Sequence, residues 1–174
     1  VGYSEDSKNT AEFKLNKYLK AGKNSLVLKI YRWSTGAYLE CQDFWRISGI
    51  ERDVFLFSQP KTHIQDFQVV STLDDTYKNG IFKLQTSLKS EGAQDNLSLS
   101  YELIDKNGEV VSQGTQKASD LNKIFEAQLP NVKTWTSEQP NLYQLLITLK
   151  EGDKVTEVIP YKVGFRRFEI KEIE

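Results

Sequence analysis

The residue types best suited to chemistry are concentrated in one segment, residues 32–54, which lies between two apolar runs. Aromatic, acidic and arginine side chains are concentrated in this segment. Its glycines, Gly36 and Gly49, are predicted to supply backbone freedom. A carbohydrate site needs aromatic faces against the sugar ring and oxygen atoms that accept hydrogen bonds from hydroxyls. Loops of this composition commonly carry binding function when a regular scaffold holds them. The aromatic residues that would form such a platform are Trp33, Tyr38 and Trp45.

The same side chains also have a purely structural interpretation, in which the aromatic residues belong to a core. Buried aromatic rings mostly serve packing, and composition alone slightly favours this second interpretation. The charged residues would then form structural ion pairs, and they are Arg46, Arg52, Glu40 and Asp53.

The sequence gives little support for a thiol-protease site, a zinc site or a catalytic pair of acids. The chain has one cysteine, Cys41, and one histidine, His63. A single cysteine allows no internal disulfide, and this pair is a poor basis for a thiol protease or a zinc site. Adjacent acids at Asp74 and Asp75 resemble a catalytic pair, but solvated turn residues are far commoner.

The composition also argues against nucleic-acid-binding and membrane proteins. The 23 basic and 24 acidic residues nearly cancel, so we expect no nucleic-acid partner and no membrane surface. No apolar run approaches the roughly 20 residues of a spanning helix. We expect a soluble protein of the cytoplasm or the periplasm. The chain contains no methionine and opens at Val1, so we expect it to be processed or excised from a longer protein.

Strand-like alternation of apolar and polar residues dominates the chain between about 62 and 166. Seven such segments are separated by turn residues, and long helices are absent from the pattern. We predict a two-sheet antiparallel sandwich. Its inward side chains are predicted to be Phe67, Phe82, Leu84, Leu99, Tyr101, Leu145 and Ile147.

The N-terminal portion, up to a boundary near Pro60, is predicted differently. Runs 25–33 and 53–57 have high β-propensity and are predicted to be strands, and 9–19 has room for a helical turn. These 60 residues are too few to bury a core alone. We expect them to pack on the sandwich and to pair with a second copy of the chain.

Segment 32–54 closely resembles a signature of the β-galactosidases of glycoside hydrolase family 2. The matching residues are Arg32-Trp33-Ser34, Gly36, Tyr38-Leu39-Glu40, Gln42-Asp43, Trp45-Arg46, Ser48-Gly49-Ile50 and Arg52-Asp53-Val54. Related β-glucuronidases differ at 42–46, which favours the galactosidase branch. Further matches lie at Gly2-Tyr3-Ser4, Trp135-Thr136-Ser137-Glu138 and Val163-Gly164-Phe165-Arg166.

The resemblance implies an all-β chain, an immunoglobulin-like antiparallel β-sandwich preceded by a partial jelly-roll segment. Residues 1–60 would be the C-terminal part of a sugar-binding jelly-roll domain, and 61–170 the sandwich. Residues 171–174 would begin the linker to a catalytic barrel that is absent from this chain.

For the site, the resemblance implies one residue above all, Asp43. The family's acid at this position reaches the galactose pocket, touches sugar hydroxyls and contributes to a sodium site. Glu40 and Arg46 would support the loop. Cys41 departs from the family pattern, in which many members have an acid, so position 41 is not expected to bind a ligand.

The implied function is that of a non-catalytic fragment of a retaining β-galactosidase, which hydrolyses terminal β-D-galactosides. The chain would supply scaffold and one wall of the galactose pocket, with no catalytic residue and no cofactor of its own. Sodium and magnesium are expected in the parent protein, whose partners are the β-galactoside, the barrel domain and further copies in a homo-oligomer. The alternative is a stand-alone carbohydrate-binding or structural β-sandwich module.

Overall fold

The computed structural model describes residues 1–5, 9–40, 48–91 and 96–170. Their contacts divide the chain into two compact units, Val1–Leu56 and Phe57–Glu174. In the described part of the chain, no helix is long and apolar enough to span a membrane.

The second unit is an antiparallel β-sandwich. A three-stranded sheet has the order β1-β2-β5, and a four-stranded sheet has the order β4-β3-β6-β7. This confirms the predicted fold class. The strands are β1 His63–Leu73, β2 Gly80–Lys89, β3 Leu97–Ile104, β4 Val110–Lys117, β5 Asn122–Leu129, β6 Tyr143–Glu151 and β7 Lys154–Val163.

The sandwich core follows from residue alternation, because successive side chains of a strand point to opposite faces of its sheet. In β2, β3 and β6, every second residue is buried along almost the whole strand. Six of the seven predicted inward residues are buried, and Phe67 is partly buried against them. The side chains with no exposed surface include Phe82, Leu84, Leu99, Leu103, Leu145, Ile147, Leu149 and Phe165.

Side chains join the two sheets along both sides of the sandwich. The backbone N–H of Ile64 donates to Glu157 Oε2 at 2.6 Å, and Ser71 Oγ donates to the Gly164 carbonyl at 2.9 Å. On the other side, Gln116 Nε2 donates to a β5 carbonyl at 2.8 Å. These bonds engage polar groups near sheet edges that would otherwise be open to strand pairing.

An Asn-Gly pair such as Asn107-Gly108, in the hairpin between β3 and β4, is typical of turns that use positive φ at both residues. Only Gly108 has it, at φ 88°. The carboxylate of Asp105 accepts bonds from the Asn107 N–H at 2.8 Å and the Glu109 N–H at 3.0 Å. The side chain of Asp105 therefore stabilises a turn in which a single glycine supplies the left-handed conformation.

The first unit contradicts one prediction. The runs 25–33 and 53–57 are not strands, and none of the described residues of this unit belongs to a strand. A run of high β-propensity becomes a strand only when a neighbouring segment takes its backbone hydrogen bonds, and the two runs do not pair with each other. The regular elements here are a 3₁₀ turn at Asn16–Tyr18, inside the predicted 9–19, and the short helix α1 at Ala37–Glu40.

Candidate functional site

The signature segment begins with a tight turn that leads into α1. The Ala37 N–H donates to the Ser34 carbonyl at 3.1 Å, and the N–H groups of Leu39 and Glu40 both donate to the Gly36 carbonyl at 2.9 Å. A side-chain carbon at Gly36 would lie 3.4 Å from Glu40 Oε1. This is an ordinary van der Waals distance and the φ of Gly36 is not positive, so neither space nor backbone conformation requires a glycine here.

The other glycine of the segment that was assigned to backbone freedom is Gly49. Its φ of 121° is a conformation that residues with side chains rarely adopt. Gly49 thus has the conformational role that the sequence predicted for it.

Glu5 lies 30 residues before Thr35 in the sequence and stabilises the turn by hydrogen bonding. Thr35 Oγ1 donates to Glu5 Oε2 at 2.6 Å, and the Tyr3 hydroxyl donates to Glu5 Oε1. The bond from Thr35, followed by that from Tyr3, lowers the pKa of Glu5, and the Glu5 carboxylate raises the pKa of the Tyr3 hydroxyl. Glu5 could not be predicted from the sequence, because no local pattern signals a partner so far along the chain.

The described aromatic side chains of the segment are exposed in this chain. Tyr38 is 93% exposed and Trp33 is 59% exposed, which the core interpretation does not predict. The guanidinium of Arg32 lies 5.3 Å from the centre of the Trp33 ring, within cation–π range. Half-buried Glu40 lies at the end of α1, two residues after Tyr38. Aromatic faces and carboxylates, the groups that a sugar site requires, therefore share this turn.

Several predicted positions lie outside the residues that the structure describes, namely Asp43, Cys41, Trp45 and Arg46. The sugar-binding and sodium-binding roles of Asp43 remain predictions for that reason. Among the described residues, no group of three or more His, Cys, Asp or Glu side chains is placed to hold a metal ion.

The adjacent acids of the sandwich, Asp74 and Asp75, have separate partners. Asp74 accepts bonds from Thr76 Oγ1 at 2.7 Å and Asn79 Nδ2 at 2.7 Å, inside the loop between β1 and β2. Asp75 instead forms an ion pair with Arg167 at 2.7 Å. Each carboxylate has its own structural partners, as the turn interpretation predicts.

Comparison with known proteins decides the family. The model of the sugar binding domain of glycosyl hydrolases family 2 matches residues 1–60, and a second model of glycosyl hydrolases family 2 matches residues 62–166. The chain belongs to glycosyl hydrolases family 2. This confirms the family that the signature segment indicated.

Curated relatives in this family carry the name beta-galactosidase. The chain is 42% identical to the beta-galactosidase of Streptococcus thermophilus over 172 residues, which are 99% of this chain and 17% of that protein. It is 41% identical to the beta-galactosidase of Priestia megaterium, with coverage of 98% and 17%. The chain thus spans about a sixth of the length of these relatives.

Solved structures of beta-glucuronidases share the fold. The apo structure of Bacteroides uniformis beta-glucuronidase 3 matches with a TM-score of 0.65 at 20% identity, covering 76% of this chain and 16% of that one. A beta-glucuronidase of Parabacteroides merdae matches with a TM-score of 0.57 at 22% identity, covering 64% of this chain and 14% of that one. At these identities, the likeness concerns architecture alone.

Proposed function

We propose that the chain is a non-catalytic section of a retaining β-galactosidase that hydrolyses terminal β-D-galactosides. In this proposal, residues 1–60 contribute one wall of the galactose pocket and the sandwich supports it. One observation carries the proposal: 42% identity to a protein named beta-galactosidase, extending over 99% of the chain. The family models matched at 1–60 and 62–166 give the same order of parts.

Catalysis by such an enzyme requires two carboxyl groups about 5–5.5 Å apart, one as acid and base and one as nucleophile. The resemblance assigns both to glutamates of a barrel that follows residue 171. Within the sandwich, Asp74 and Asp75 are committed to different partners, so this adjacent pair offers no substitute. We therefore propose that these 174 residues have no hydrolytic activity by themselves.

Asp43 is the residue that we propose contacts the sugar. A carboxylate accepts hydrogen bonds from hydroxyls and is also an oxygen ligand of the kind that hard cations prefer. Sodium beside Asp43, and magnesium elsewhere in the parent protein, belong to the same proposal. A single acid on one wall cannot satisfy a ring of hydroxyls, so we expect free galactose to bind this chain weakly or undetectably.

One observation favours a second candidate function, a stand-alone carbohydrate-binding module. Trp33 and Tyr38 are exposed, as the rings of a stacking platform would be. The two candidates differ in what the isolated chain does. A binding module retains galactose by itself, whereas a section of an enzyme requires the remainder of the pocket.

The proposal is tested with the 174-residue chain and with the full-length protein that contains it. Turnover of o-nitrophenyl β-D-galactoside and of the matching β-D-glucuronide is measured for both, with galactose binding followed by calorimetry. We expect activity only in the full-length protein and only on the galactoside.

Preference of the full-length protein for the glucuronide would refute the substrate assignment. Activity of the purified chain that a point substitution within it abolishes would refute its non-catalytic role. Tight galactose binding by the chain would instead support the binding-module candidate.

A further inference from the structure

The segment that follows β7, residues 164–170, is attached to one end of the sandwich, and we call it the exit strap. Its first contact is a parallel bridge between Phe165 and Thr134, in which the Trp135 N–H donates to the Phe165 carbonyl at 2.8 Å. The Phe165 side chain has no exposed surface and packs edge-on against Tyr143, with ring centres 5.3 Å apart. The strap therefore starts from a fixed point in the core.

Arg166 lies between two aromatic rings. Its guanidinium carbon is 4.7 Å from the centre of the Trp135 ring and 4.3 Å from that of Phe168. Trp135 belongs to the loop between β5 and β6, whereas Phe168 belongs to the strap and is 77% exposed. The cation thus holds the outer part of the strap against a loop of the sandwich.

Arg167 holds the strap against a different loop. Its Nη1 is 2.7 Å from Asp75 Oδ1, and its Nη2 is 3.2 Å from Glu169 Oε2. The guanidinium carbon also lies 5.4 Å from the centre of the Tyr77 ring. Asp75 and Tyr77 lie in the loop between β1 and β2, so one guanidinium joins that loop to the strap.

Arg166 and Arg167 are neighbours in the sequence, yet their side chains reach two different loops. A single contact leaves a segment free to pivot, but contacts with two different loops restrict its direction. We propose that Arg166 and Arg167 are positioning residues, which set the direction in which the polypeptide leaves the sandwich. Resting on the proposed function, this inference assigns the strap the task of orienting the barrel relative to the sandwich.

The attachment is tested in the 174-residue chain by amide hydrogen exchange. Arg166→Ala and Arg167→Ala are compared with Lys83→Ala, a control that removes the ion pair between Lys83 and Glu126 on the sandwich surface. We expect each strap variant to speed exchange of the Trp135 amide and of residues 165–170 by about two- to fivefold. This is the factor expected when one cation–π contact or one exposed ion pair is lost. Amides of β6 and the control variant should be unaffected.

Conservative variants separate a specific role from general loosening. Arg166→Lys keeps a cation between the two rings and should exchange at nearly the rate of the unmodified chain. Arg167→Lys loses the planar group that reaches two carboxylates with separate nitrogens, so it should restore only part of the protection. Unchanged exchange in both alanine variants, or equal acceleration in β6, would overturn the proposal.

In the full-length protein, the strap should affect catalysis through the orientation of the proposed barrel, which would carry the catalytic glutamates. We expect Arg166→Ala combined with Arg167→Ala to lower galactoside kcat/KM about fivefold, chiefly through KM. The control variant Lys83→Ala should leave kcat/KM unchanged. An unchanged kcat/KM in the strap double variant would refute the positioning role. Absence of galactosidase activity together with the expected exchange result would refute the proposed function and leave the strap attachment standing.

Discussion

Asp74 and Asn79 close the loop between β1 and β2 through hydrogen bonds in both directions. The Asp74 N–H donates to the Asn79 carbonyl at 3.0 Å, and the Asn79 N–H and Nδ2 donate to the two Asp74 carboxylate oxygens at 3.2 and 2.7 Å. Asn79 Oδ1 in turn accepts from the Asn131 N–H at 3.1 Å, in the loop after β5. The pair therefore organises two loops at the end of the sandwich that carries the exit strap.

The Asp74 carboxylate should make the stability of the sandwich depend on pH. The bond from Thr76 and those from Asn79 and Lys78 lower the pKa of Asp74 to about 2. A group whose folded pKa is depressed stabilises the fold above its unfolded pKa and ceases to do so as pH falls through the folded value. We expect Asp74→Ala to lower the melting temperature at pH 6, by an amount that shrinks as pH falls from about 4 toward 2.

Thermal unfolding followed by circular dichroism from pH 6 to pH 2 measures this effect. Asp153→Ala removes an exposed carboxylate from the turn between β6 and β7 and serves as the control. A difference between the unmodified chain and Asp74→Ala that stays constant over this range would show that the Asp74 charge has no part in the loop's stability.

The faces of the sandwich strands could be predicted from the sequence, whereas the contacts of the exit strap could not. The alternation of apolar and polar residues identified the inward faces of β2, β3 and β6, because this pattern is local and repeats every two residues. The exit strap escaped prediction since its contacts join Arg167 to Asp75, which lie 92 residues apart. Residue types in 164–170 give no sign of which loops they will reach.

Less of the structure of the first unit could be predicted from the sequence. Propensity indicated strands at 25–33 and 53–57, but propensity cannot provide the neighbouring strand that completes a ladder. The bond from Thr35 to Glu5 was missed for the same reason, since it depends on a distant partner. Asp43 was identified from a family signature, and its role remains a prediction.

Apolar side chains are buried to very different extents in the two units, and matched leucine-to-alanine substitutions should reveal this difference. Leu145 in β6 has no exposed surface, whereas Leu26 is 50% exposed. Truncating a fully buried leucine typically costs about 2–5 kcal/mol, because it leaves a cavity as well as losing buried apolar surface. We expect Leu145→Ala to lower the free energy of unfolding by that amount, and Leu26→Ala by less than about 1 kcal/mol. Urea unfolding followed by circular dichroism measures both, and comparable losses would contradict the burial described here.

The exposed apolar side chains of the first unit should promote association between copies of the chain. Val27 is 85% exposed and Leu56 is 73% exposed, and both lie in or beside the runs of high β-propensity. Apolar patches and unpaired backbone favour pairing with another copy. We expect sedimentation velocity to show dimers that increase with concentration.

Charges introduced at these two exposed positions should prevent the association. Val27→Lys combined with Leu56→Lys is expected to shift the chain toward monomer, whereas Val158→Lys, on β7 of the sandwich, should leave association unchanged. A monomer over a wide concentration range would contradict the prediction, and so would dimers that the double variant leaves intact.

Asp43 provides the most direct test of the proposed pocket, in the full-length protein. Hydrogen bonds to a charged group contribute about 1.5–3 kcal/mol, which corresponds to a loss of about 10- to 150-fold in kcat/KM when the carboxylate is removed. We expect Asp43→Ala to lower galactoside turnover within that range. Asp43→Asn should lose less, because its amide retains one oxygen that can accept from a sugar hydroxyl. Glu51→Gln changes a nearby exposed acid of the same segment and should have little effect, so equal losses in all three variants would assign the effect to folding of the segment and not to contact with the sugar.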